Sequence, residues 1–271
     1  METLTESTRK AIDQAKEKGA SSWLSVLPLE DQGFTLNKGE FRDALAIRYN
    51  KNLRGLPSKC PCGQKFDLNH ALNCKRGGLV IMRHNNIRDF EANLLRQVCT
   101  DVETEPPLQP LDGENLPGLS GDEARPDVRA RGFWRNGQNA FFDIRVTNTN
   151  SSSQANLSAE RIYAKHESEK KRNYNQRIMQ VEHGTFTPLI FSVNGGVGPE
   201  CERFHKQVAE KISEKSGENY GHVISWIRCK LSFLILRAAL MCVRGSRPHN
   251  PKNASETTTD FTLACDDARL N

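Results

Sequence analysis

Two aspartates set in β-patterned surroundings carry the first chemistry this chain offers: Asp127 in Arg125-Pro126-Asp127-Val128, and Asp143 in Phe141-Phe142-Asp143-Ile144-Arg145. Carboxylate oxygens are the ligands a hard cation such as Mg²⁺ selects, and a lysine beside them can offset charge on an attacked phosphate. The Lys-rich segment Glu169-Lys170-Lys171-Arg172 follows. The combination points to metal-dependent phosphodiester chemistry. Taken singly, each aspartate also reads as a turn or strand-edge residue.

A second cluster lies upstream. Cys60, Cys62, His70 and Cys74 put three sulfurs and one imidazole into a short stretch, with Gly63 after the first pair to permit a tight turn. Such a set satisfies Zn²⁺ in a closed tetrahedral structural site. The C-x-C spacing is tighter than the usual C-x₂₋₄-C, so idle thiols are the competing reading. Cys99, Cys201, Cys229, Cys242 and Cys265 show no grouping and read as packing residues.

The elements that must position these groups follow from periodicity. Residues 83–99 have a helical pattern whose buried side is Ile87, Phe90, Leu94, Leu95 and Val98; Glu91 falls near its centre and Asp89 points the other way. A carboxylate on an apolar face needs a cation, a metal or a salt bridge, which makes Glu91 a site candidate. Strands are expected over 100–108, 128–133, 140–147 and 186–193, the middle two joined by a turn at Asn136-Gly137. Residues 109–123 read as a loop and Asn148–Ser153 as a flexible insertion, and no internal repeat is evident. In the helix over 157–183, Tyr163, Lys170, Tyr174 and Val181 lie within about 20° of a common line, while Lys171 is roughly 80° away. Lys170 is then the inward lysine, against the alternative that the run is a solvated charged face. A helix over 199–216 closes this mixed α/β unit, and two helices, over 6–19 and 38–49, form an N-terminal arm.

The 223–243 stretch is apolar enough to suggest a membrane span, but Arg228, Lys230 and Arg237 interrupt it at about 2.5–3.5 kcal/mol each near a bilayer centre. It reads as a soluble helix with Trp226, Phe233 and Leu240 on one stripe and Lys230, Arg237 and Arg244 on another. The basic stripe serves either as the polar side of a packed helix or as a rail for nucleic acid. Across 271 residues, 38 Lys and Arg against 33 Asp and Glu permit such a partner without demanding one. The polar N-terminus lacks a secretory signal, which predicts an intracellular, reducing setting in which the cysteines stay thiols or metal ligands. The sequons at Asn150, Asn156 and Asn253 then carry no meaning.

The conjunction of Glu91, Pro126-Asp127, Asp143 and Lys170 resembles the PD-(D/E)XK nuclease fold, in which a first-helix acid, a Pro-Asp strand end and a second acid two residues before a lysine surround Mg²⁺. Here Arg145 stands at that lysine's place, and a guanidinium stays protonated and cannot act as a base. With the Cys/His cluster upstream, the chain looks like the C-terminal portion of a non-LTR retrotransposon polyprotein, a CCHC zinc knuckle followed by a restriction-like endonuclease. Arg83-His84-Asn85, Glu105-Pro106-Pro107-Leu108, the segment Phe191–Pro199 and the segment Trp226–Phe233 extend the resemblance over residues 20–247. No Tyr/Phe-x-Asp-Asp pair occurs, so polymerisation is not expected. The chain is either a fragment of a larger reading frame or an orphaned descendant of one.

Residue pattern and resemblance together give a helical arm (1–59), a zinc knuckle (60–83), a restriction-like endonuclease domain (84–221), a basic amphipathic helix (222–247) and, from its polar composition, a disordered tail (248–271). The resemblance implies more about the site. It implies Mg²⁺ on Asp127 and Asp143, Glu91 in support, Lys170 or Lys171 at the attacking water, Tyr174 beside the lysine, and Zn²⁺ on Cys60, Cys62, His70 and Cys74. Nuclear DNA is the implied substrate, bound by the knuckle and the basic helix, with RNA and a reverse transcriptase module of the parent polyprotein as further partners. No membrane and no small-molecule substrate are expected. The rival reading is a decayed module that binds nucleic acid without cutting it.

Overall fold

A computed structural model describes residues 6–109, 125–154 and 156–247. Almost all of the expected 109–123 loop, and the tail from Pro248, lie outside the described residues. The order is α1 (Glu6–Lys16), α2 (Lys38–Arg48), α3 (Leu68–Asn73), α4 (Leu79–Val98), β1 (Val102–Thr104), β2 (Val128–Arg131), β3 (Asn139–Thr147), α5 (Ala159–Gln180), β4 (Thr185–Ser192), α6 (Pro199–Ser216) and α7 (Tyr220–Arg244). The four strands form one sheet in the order β1-β2-β3-β4, antiparallel except for the parallel β3–β4 pair. A parallel pair needs a crossover, and α5 supplies it.

Strand alternation divides β3 between two cores. Ala140, Phe142 and Ile144 join Ile87, Leu94 and Leu95 of α4, Phe204 and Val208 of α6 and Ile227 and Leu231 of α7 in the main core. Phe141 turns to the opposite face, where Ile178, Tyr174 and Phe186 enclose it. Asp143 and Arg145 share that second face, which directs them at α5. The β2–β3 connection spans 132–138 and includes the expected turn at Asn136-Gly137; β2 ends two residues before the expected Phe133, and Gly132 and Gly137 are both at positive φ.

The long helix α7 is the hub of the molecule rather than an appendage. One side packs on α4 and α6, and the other builds a second apolar core with Trp23, Phe34, Ala44, Ile47, Phe66 and Leu72 of the N-terminal arm and the cysteine cluster. The basic stripe is consumed in that packing. Lys230 donates to the Gln32 carbonyl (2.7 Å) and lies over the Phe34 ring, Arg237 donates to the Thr35 carbonyl (2.8 Å), and Arg244 pairs with Asp43 (2.7 Å) while donating to the Arg54 carbonyl. Of the two readings of this stripe, the polar side of a packed helix is the one these contacts match: the three cations meet backbone carbonyls and a carboxylate of the 32–55 segment.

The Asn148–Ser153 stretch is ordered, contrary to the expected flexible insertion. Asn148 and Thr149 are buried; Gln14 of α1 donates to Thr149 (3.0 Å) and to Asn150 (2.8 Å), and Asn148 donates to Asn69 (3.2 Å). Gly196 lies where the arm meets β4: a Cβ there would overlap the Glu17 carboxylate and the Tyr163 hydroxyl, which are hydrogen-bonded at 2.6 Å. Among the described residues no helix is long and apolar enough to cross a membrane.

Candidate functional site

Asp143 and Lys170 meet across the β3–α5 interface. Lys170 Nζ stands 2.5 Å from Asp143 Oδ2 and 5.7 Å from the centre of the Tyr174 ring one turn along α5. The Tyr174 hydroxyl interacts with Asp143 and lies 3.4 Å from the Arg125 carbonyl, while its ring packs on Phe186. Burial pushes the Asp143 carboxyl up to about 6; the Lys170 charge opposes this and the Asp127 charge adds to it. The Tyr174 hydroxyl is pushed up as well, by burial and then by Asp143.

Asp127 enters the same site from β2. It immediately precedes the Val128–Phe142 pair that ends the β2–β3 ladder, and its side chain takes over where backbone pairing stops. The Ile144 amide donates to Asp127 Oδ2 at 2.5 Å, which fixes Asp127 one residue from Asp143. Its other oxygen, Oδ1, is 2.8 Å from His84 Nε2 on the first turns of α4. Arg88, one turn further along α4, feels the Asp127 charge and pairs with Asp89 and Glu105. Glu105 holds a positive φ of 52° and donates its amide to the Asp127 carbonyl.

The remaining candidates are placed apart from this group. Glu91 is fully buried on α4, as its helical phase implies, but its partner is His205 of α6 at 3.0 Å. The α4 side chain that reaches Asp127 is His84. Lys171 pairs with Glu200 on α6, and Arg145 with Glu169 at 2.9 Å. His84 lies about 20° from Glu91 on α4, so its helical phase and the Arg83-His84-Asn85 likeness were the available signals; its partner, 43 residues away, was not legible.

The cysteine cluster assembles as a second site. Asp67 caps α3 by accepting from the His70 amide (2.8 Å), which carries His70 toward the thiols. Cys60 and Cys74 sulfurs are 3.8 Å apart, Cys62 and Cys74 sulfurs 3.9 Å, and Cys62 Sγ is 3.3 Å from His70 Nε2. A tetrahedron with metal–sulfur bonds of about 2.3 Å has edges of about 3.8 Å. The four ligand atoms, all within 4.8 Å of one another, can thus hold a metal ion such as zinc. Cys60 and Cys74 are buried against α7, His70 is half-buried and Cys62 is exposed.

No protein-family model matches this chain, and no curated protein matches it. Its function must be read from the two sites themselves: buried carboxylates beside an ammonium, and a compact sulfur-rich metal cradle.

Proposed function

We propose that this chain is a Mg²⁺-dependent DNA endonuclease of non-LTR retrotransposon origin, with a PD-(D/E)XK-type core braced by a zinc knuckle. The observation that carries the reading is the meeting of Asp127, just before β2, Asp143 of β3 and Lys170 of α5. Arg145 stands where the PD-(D/E)XK pattern has its lysine, and on this reading Lys170 reaches in from α5 instead. Zn²⁺ on Cys60, Cys62, His70 and Cys74 has a structural role, since the four ligands close the coordination shell.

Mg²⁺ suits the aspartate pair on the chemistry of its donors. Asp143 Oδ2 is buried with Lys170 Nζ 2.5 Å away, and both Asp127 oxygens keep a second lone pair beyond their single contacts. One or two carboxylates completed by water is the donor set this ion prefers. When bound, it polarises the phosphate and acidifies a water. The protein's own groups do the rest. The Ile144 amide and His84 hold Asp127 in orientation; Lys170, paired with Asp143, aligns the attacking water and offsets negative charge on the phosphorane-like transition state. Tyr174 positions the lysine through its ring. Arg145, neutralised by Glu169, contributes charge nearby but no base.

The substrate on this reading is nuclear DNA, with RNA and a polyprotein reverse transcriptase as further partners. Mg²⁺- or Mn²⁺-dependent nicking of plasmid DNA tests it. Asp127→Ala and Asp143→Ala should each abolish nicking while leaving DNA binding largely intact. Nicking that survives both changes removes the pair from the mechanism. DNA binding without cleavage by the wild-type chain, whichever divalent metal is supplied, favours the decayed module, a second reading that rests on Arg145 standing in the motif lysine's place and being tied to Glu169.

A further inference from the structure

Arg83 and His84 are adjacent on α4 and grip the two sites from one helical turn. The Arg83 guanidinium, 5% exposed, donates to the Leu72 carbonyl at 2.9 Å, and Leu72 lies on α3 between the cluster ligands His70 and Cys74. His84 reaches the other way to Asp127 Oδ1 at 2.8 Å. From Asp127 the contact continues through Oδ2 to the Ile144 amide at 2.5 Å, beside Asp143. An unbroken path of directed contacts therefore joins the cysteine cluster to the carboxylate pair. Successive residues on a helix diverge by about 100°, so α4 can face both partners at once and cannot shift toward one without moving the other. Gly78 opens α4 at a φ of 72° without a side-chain cap, and Arg83, one turn in, ties α4 to α3 through the Leu72 carbonyl.

We propose that Arg83 and His84 make the metal-loaded Cys60/Cys62/His70/Cys74 cluster a positioning element for the carboxylate site: the cluster sets α3, Arg83 carries that position to α4, and His84 orients Asp127. The part of this inference that concerns metal at Asp127 and Asp143 rests on the nuclease reading; the mechanical link does not. His84 is a positioning residue, acting through Asp127, and the knuckle is a fixed brace rather than a finger free to read nucleic acid. A directed contact path alone is a spatial relationship, so the coupling must be measured as a response of one site to the other.

The experiment uses the full chain and three readouts: zinc content, hydrogen exchange at the Ile144 amide, and Mn²⁺ binding followed by electron paramagnetic resonance. His84→Ala should leave zinc content unchanged, speed Ile144 exchange, and weaken Mn²⁺ binding on the order of tenfold, the scale of losing a hydrogen-bonded partner of a metal ligand. His84→Gln, which keeps a donor, should recover part of both. Arg83→Lys should retain zinc yet speed Ile144 exchange, because a lysine ammonium cannot reproduce the guanidinium's reach. Cys62→Ser should lose zinc and weaken Mn²⁺ binding by a similar factor, and the Cys62→Ser/His84→Ala double variant should be no weaker than the worse single one. Ile144 exchange indifferent to both Cys62→Ser and Arg83→Lys overturns the coupling, as does full additivity in the double variant. Arg83→Lys keeps the test open should Cys62→Ser fail to fold. Ile144 exchange that follows zinc in a chain that neither binds Mn²⁺ nor nicks DNA supports the coupling and overturns the nuclease reading alone.

Discussion

Lys170 Nζ stands 2.5 Å from Asp143 Oδ2, whereas Lys171, the next residue of α5, pairs with Glu200 on α6. One helical step separates a lysine that faces the carboxylate pair from one that staples two helices together. Lys170→Ala should lower the single-turnover rate of Mg²⁺-dependent nicking by about 10²–10³, the usual scale for a lost charge-stabilising donor. Lys171→Ala should leave the rate within a few fold and cost about 0.5 kcal/mol of stability, as for a half-exposed ion pair. Single-turnover nicking of both variants checks this, and the reverse ranking transfers the role to Lys171.

The basic side of α7 is engaged with the arm, and the arm's attachment is what its loss should disturb. Arg237 donates to the Thr35 carbonyl and lies against the Phe233 ring. Arg237→Ala should lower unfolding free energy by about 1.5–3 kcal/mol, the worth of a hydrogen bond from a charged donor. DNA affinity and the slope of its salt dependence should stay the same. A slope reduced by about one unit would instead mark a phosphate contact and restore the rail.

Acid should loosen the same arm. Burial alone would raise the Asp43 carboxyl, but hydrogen bonds and charge from Arg244 and Arg42 outweigh it and hold the group below its ordinary value. A depressed folded-state value means that the stabilisation is complete above the unfolded-state value of about 3.9 and is lost as pH falls through the lower folded-state value. Wild-type stability should therefore fall more steeply below about pH 4 than that of Asp43→Asn. Denaturant titrations across that range, followed by Trp23 fluorescence at the α2 contact, supply the comparison; parallel curves would show that the Asp43–Arg244 pair contributes nothing.

The knuckle's metal should matter beyond residues 60–83. Cys60 and Cys74 are buried in the same apolar cluster as Phe233, Leu240 and Val243 of α7, so stripping the ion opens that packing as well as the local loop. About one Zn²⁺ per chain is expected, lost in Cys74→Ser, with faster amide exchange along the last turns of α7. Purified protein without zinc by metal analysis would sink the site; exchange confined to 60–83 would make the knuckle an independent module.

Much of the architecture was legible because it depends on local periodicity. The turn of α6 from Pro199 to Ser216, the phase that sets Lys170 with Tyr174 and apart from Lys171, and the burial of Glu91 all follow from which residues recur at helical spacing. The four cluster ligands were legible for a related reason, since their geometry closes within fifteen residues. Periodicity names a face but never its partner. That Glu91 meets His205, that His84 rather than Glu91 attends Asp127, and that Lys230, Arg237 and Arg244 hold the N-terminal arm are pairings across 43 to 202 residues of chain. The same holds for the Asn148–Ser153 stretch, whose polar composition suggests freedom until Gln14 and Asn69 arrive to satisfy its amides. Residue type and spacing decide which groups must find a partner on burial; only the tertiary fold, by bringing distant segments within hydrogen-bonding range, decides which partner each one receives.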